Sequence, residues 1–178
     1  QSLTLVLLPI ALHSVYEATA SEDSLAVEGV ATVGTLCQLL SWSKYNNLLW
    51  TTLTQFHRHP ESEAGLVALL CAVIDSFHFN VASECEPNSV LRSLESRFIP
   101  KIESLLTKEK VDKHGEKHKV IRSAIVLALV KLFKKLPEQT FKQKFPRLLT
   151  VICDALKSRE SDARDSARKT LARIVEEV

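Results

Sequence analysis

The stretch FPRLLTVICDALKSRESDARDSARKTLARIVEEV, Phe145 to Val178, decides how the rest of the chain is read. Its apolar residues recur every three or four positions on either side of a short polar run at Lys157–Glu160. That rhythm predicts two antiparallel helices joined by a tight turn. Pro146 stands in the first helix, and Asp162 and Arg164 stand at the start of the second.

Working outward, the same layout returns. Superposing Pro100 on Pro146 gives a period of 46 residues, within the roughly 40–47 of HEAT-type helical pairs. Arg122 takes the part of Arg164, each followed by an apolar face. For Arg122 that face is Ile125, Leu129 and Leu132; for Arg164 it is Ala167, Leu171 and Ile174. Pro9 opens a further pair, with Glu22 and Asp23 placed like Asp162, and the pair from Trp42 to Phe79 keeps the layout without the proline. The sequence therefore predicts an all-α chain, an α-α superhelix of about four antiparallel pairs at 2–40, 41–79, 89–136 and 138–178. Flexible connections are expected at 80–88 and 108–118. Stacked pairs bury one continuous core and need polar caps at the ends. The uncapped Glu177–Val178 end and the start in mid-rhythm read as a segment of a longer solenoid.

Local signals refine the elements. Leu5, Leu8, Leu12 and Val15 predict the buried face of a first helix from Leu3 to Ala18. Ser21, followed by Glu22 and Asp23, suits the N-cap of a second helix. Its face is Ala26, Val30, Val33, Cys37 and Leu40, with Gly29 and Gly34 allowing close backbone approach. Ser41 is expected to cap a third helix whose stripe is Trp42, Tyr45, Leu49 and Leu53, ending before Pro60. The run LVALLCAVI makes Ser62–Phe79 the expected deepest helix. Leu91, Leu94, Phe98, Ile102 and Leu105 line a helix from Ser89 to Thr107 that Pro100 should kink, and Pro146 should kink the helix that begins near Glu138.

Composition narrows the function classes. With 46% hydrophobic and 25% charged residues among 178, the chain is ordinary for one soluble domain. No apolar run reaches the roughly 18 residues of a membrane span, and the opening SLTLVLLPIAL lacks the basic lead of a signal peptide. Cys37, Cys71, Cys85 and Cys153 are widely spaced, which favours free buried thiols in a reducing compartment. His114 and His118 in HGEKH have a misplaced Glu and a helix-weakening Gly115, so a solvated loop is the better reading than a metal site. No nucleophile elbow, phosphate loop or acid–His set is present, and neither a catalytic site nor a cofactor or small-molecule substrate is expected.

Charge is the remaining signal. Residues 1–100 carry 4 basic and 10 acidic side chains, residues 101–178 carry 19 and 11. Arg164, Arg168, Lys169 and Arg173 are partly matched by Glu160 and Asp165 at helical spacing, so pairing explains them better than a ligand. Lys108, Lys110, Lys113, Lys117 and Lys119, with Lys131, Lys134 and Lys135, have fewer acidic neighbours. They are the candidate contacts for an anionic partner, without interleaved aromatics for base stacking.

Three stretches go beyond a generic repeat. LSWSKYNNLLWTTL (Leu40–Leu53), LLCAVIDSFHFN (Leu69–Asn80) and the run from Val120 to Val178, with its RDSARKTLARI helix, occur in that order. Together they resemble a region toward the C-terminal part of the U-three small nucleolar RNA-associated HEAT-repeat family, also called "down-regulated in metastasis". The resemblance spans about residues 40–178. It implies a long polar insertion after FHF, where this chain has only Asn80 to Asn88. It also implies a non-catalytic nucleolar scaffold of the small-subunit processome, acting in pre-18S ribosomal RNA processing and small-subunit assembly. Its partners would be processome proteins and pre-ribosomal or small nucleolar RNA. The competing reading is a HEAT-type adaptor that binds protein segments in transport or signalling.

Overall fold

In the computed structural model, which describes residues 2–18, 24–59, 62–80, 90–107 and 117–177, every regular element is helical. Eight helices follow in order among the described residues. They are α1 (Ser2–Tyr16), α2 (Ser24–Cys37), α3 (Trp42–Gln55) and α4 (Glu63–Asp75), then α5, α6 (Lys117–Phe133), α7 (Glu138–Leu156) and α8 (Ser161–Glu177). Helix α5 has three parts, α-helical at Val90–Ser93 and Ile99–Thr107 with a π turn at Leu94–Phe98 between them. The all-α expectation is met. Of the connections expected to be flexible, 80–88 and 108–118, only Asn80, Lys117 and His118 fall within the described residues, and Ser21 also lies outside them.

The chain forms two compact units, Gln1–Phe79 and Asn80–Val178. In the first, α1 packs on α2, α3 on α4, and α4 also on α2 and α1. In the second, α5 packs on α6, α7 on α8, and α6 also on α7 and α8. Both units thus join their pairs second helix to second helix, the arrangement of stacked helical repeats. The polar bonds between neighbouring pairs carry the repeat in their spacing. Ser62 Oγ bridges the carbonyl oxygens of Tyr16 and Ala18 at 3.0 and 2.9 Å, spanning 46 and 44 residues. Ser76 Oγ donates to Gly34 O at 2.7 Å across 42, and Lys144 Nζ to Glu103 Oε1 at 3.2 Å across 41.

Several local expectations are corrected. Ser41 holds the N-cap position of α3 in extended backbone, but its hydroxyl makes no capping bond; its carbonyl accepts from Tyr45 N at 2.9 Å instead. On α1, Leu5 is exposed and the buried residues are Ala11 and Val15, because α2 and α4 close on only one side of an almost wholly apolar helix. α4 ends at Asp75 rather than Phe79 and is not the deepest helix. Its run LVALLCAVI reads as apolar all round because alanine counts as apolar, yet Ala68 faces solvent, as does Ala64 one turn earlier. The deepest is α6, where every residue from Ile125 to Phe133 is buried between α5, α7 and α8.

At Pro100 the chain uses a π turn. Proline has no N–H, and its ring crowds the carbonyl four residues back. Widening the preceding turn relieves this, and Ile99 N–H reaches back five residues to Leu94 O. Leu94, Phe98 and Ile102 remain buried through it. In α7, Pro146 is taken within a continuous α-helix.

The two glycines of α2 separate. A Cβ on Gly29 stands 2.3 Å from Ser14 Oγ and 2.8 Å from Ala11 O, a backbone atom that cannot step aside cheaply. A Cβ on Gly34 meets nothing nearer than 3.6 Å. Gly29→Ala is therefore expected to cost about 1–3 kcal/mol by overpacking. Gly34→Ala should gain up to about 1 kcal/mol of helix propensity. Urea midpoints of the two variants check this, and equal shifts would sink it.

Burial also gives the first unit a pH signature. The Cys37 thiol and the Tyr16 hydroxyl are each pushed up to about 12 by burial, from ordinary values of 9.0 and 10.0. Both acids hold their protons longer folded than unfolded. Their contribution is complete below pH 9, where the unfolded thiol begins to ionise, and is lost progressively up to about pH 12. The Tyr16 hydroxyl is also buried without a hydrogen-bond partner among the described residues. Tyr16→Phe is thus expected to hold or raise stability at neutral pH and to flatten the alkaline loss, as read from denaturation midpoints across pH.

Candidate functional site

Of the sequence-predicted lysines, the side chains of Lys131, Lys134 and Lys135 fall within the described residues. Lys108, Lys110 and Lys113 lie outside the described residues, as do the side chains of Lys117 and Lys119, whose backbone opens α6. Lys131, Lys134 and Lys135 stand at the far end of α6, a helix of 17 residues, about 25 Å from its first turn. Lys131 is only 8% exposed, drawn into the packed end of α6. Lys134 is exposed and Lys135 half-buried in the turn before Pro137. A helical period explains the split: Lys131 falls on the same all-round buried turn as Leu132 and Phe133, while the two lysines beyond the helix end do not.

On α8 the basic side chains serve the pair. Arg164 Nη1 donates to Ser158 O at 3.0 Å and to Arg159 O at 2.7 Å, fastening the start of α8 to the turn that leaves α7. The expected Glu160–Arg164 side-chain pair is replaced by these carbonyls, which offer the planar guanidinium two acceptors at once. Asp165 pairs with Arg168 at 3.1 Å, three residues on, rather than with Lys169. Ser161 Oγ donates to Asp162 Oδ1 at 3.2 Å in the first turn of α8, where an acid also suits the helix dipole. Arg122 is half-buried on α6, and Pro100 and Pro146 are exposed on α5 and α7.

Sequence reasoning missed an aromatic cluster in the first unit. SWSK-Tyr45 begins α3 and SFHF follows α4, and an antiparallel pair brings the start of one helix beside the end of the other. Trp42, Tyr45, Phe77 and Phe79 consequently meet, with every ring pair between 5.0 and 6.3 Å. Tyr45 is wholly buried and donates its hydroxyl to Val73 O at 2.7 Å. Burial first, then the neighbouring Cys37 and Asp75, push that hydroxyl far above the ordinary tyrosine range. The available signal was the placement of aromatics at both ends of a helical hairpin.

The thiols and charges complete the inventory. Cys37 is buried and Cys71 half-buried, but Cys153 is exposed, a correction to the expected buried set; it shares the solvent side of α7 with Pro146 and Thr150. Among the described residues, no group of three His, Cys, Asp or Glu side chains stands close enough to hold a metal ion. None of their helices is long and apolar enough to cross a membrane. The charge shift follows the structural division. Gln1–Phe79 carries two basic and seven acidic side chains, a balance of −5; Asn80–Val178 carries 21 and 14, a balance of +7.

Paired helices, joints at repeat spacing and a proline–aspartate–arginine signature define an all-α protein of the helical-repeat class, with HEAT-like pairs. Residues 112–178 match the family model described as the U3 small nucleolar RNA-associated protein 20 domain. The match falls in the C-terminal part of the chain and covers the Val120–Val178 run that carries the resemblance.

Proposed function

We propose that this chain is a non-catalytic scaffold of the small-subunit processome, working in the nucleolus in pre-18S ribosomal RNA processing and small-subunit assembly. The observation that carries the reading is a coincidence: the matched domain lies wholly within the unit of balance +7. A surplus of lysine and arginine attracts phosphates with a strength set by salt. In this reading the second unit meets pre-ribosomal or small nucleolar RNA through Lys134 and Lys135 at one end of α6. The lysines from Lys108 to Lys119 are further candidate contacts, and Lys131, buried at the end of α6, contributes its charge to the same end. The acidic first unit meets processome proteins.

The test is binding of a pre-ribosomal RNA fragment over a salt series. Lys134→Glu with Lys135→Glu is expected to weaken binding and to lower the slope of log affinity against log salt by roughly 1.5, the loss of two phosphate contacts. An unchanged slope overturns the RNA contact at this turn. Capture from nuclear extract decides the wider role: recovery of U3 RNA with processome proteins supports the scaffold. Recovery of protein partners without that RNA favours the adaptor reading.

A further inference from the structure

We draw no further inference here: the strongest candidate, the apolar groove between α1 and α2 lined by Leu7, Ile10 and Leu25, carries nothing, because nothing in the structure shows what covers it.

Discussion

Replacing Tyr45 by alanine is expected to remove about 3–5 kcal/mol of the first unit's stability. The ring is wholly buried and touches Trp42, Phe77 and Phe79, so its removal strips contacts from three aromatics at once. Truncating a buried aromatic to alanine costs about 3–5 kcal/mol. That is a large part of the roughly 5–15 kcal/mol that keeps a domain folded. Tyr45→Phe keeps the ring and loses only the hydrogen bond to Val73 O, for about 1–2 kcal/mol. Amide hydrogen exchange reads the difference by position. The alanine variant should lose protection across α1 to α4, and the phenylalanine variant should lose little. Equal losses in the two variants would show that the hydroxyl, not the ring cluster, holds this end of the unit.

The second large effect belongs to α6. Leu129 is fully buried at the centre of the helix that packs on α5, α7 and α8. Leu129→Ala leaves a cavity that three neighbouring helices must collapse around together, and such changes cost about 2–5 kcal/mol. Val175→Ala on α8 is the control, since Val175 is exposed and surface changes stay within about 0.5 kcal/mol. Denaturant midpoints should separate the two clearly. If Leu129→Ala lost no more than Val175→Ala, the account of α6 as the central helix of its unit would be wrong.

Much of this was legible in the sequence, for one physical reason. Helical burial has a period, and period survives in a string of letters. Val33, Cys37, Leu49, Leu53, Phe98, Ile102, Ile125 and Leu129 all fell on predicted faces and are all buried. What failed was whatever depends on which neighbour arrives from where. Leu5 had the right spacing but is exposed, with none of the described helices covering its side of α1. Alanines in α4 counted as apolar whether or not anything covered them. Gly29 and Gly34 looked alike in sequence, and only the approach of α1 tells them apart. The π turn was invisible because Pro100 announces a lost hydrogen bond without saying how the chain makes room.

The candidate site was legible in part. Lysine counts gave the charge of the second unit correctly, since net charge needs no geometry. They said nothing of arrangement, because counts along a chain do not fix which side chains share a surface. The family resemblance rested on the SWSKY and SFHF stretches as well as on the C-terminal run. The structure gives the first two a shared physical meaning, because both are pieces of one ring cluster.

The bonds between pairs, spaced 41 to 46 residues along the chain, set how this protein tolerates added length. Each closes a loop about one repeat long, and loop-closure entropy grows only with the logarithm of that length. Ten extra residues in a connection between pairs would cost about 0.2 kcal/mol on that basis. The same ten residues inside α6 would turn its buried face past α5, α7 and α8 and forfeit the core. Connections in such a chain can lengthen almost without penalty, while the helices keep their length.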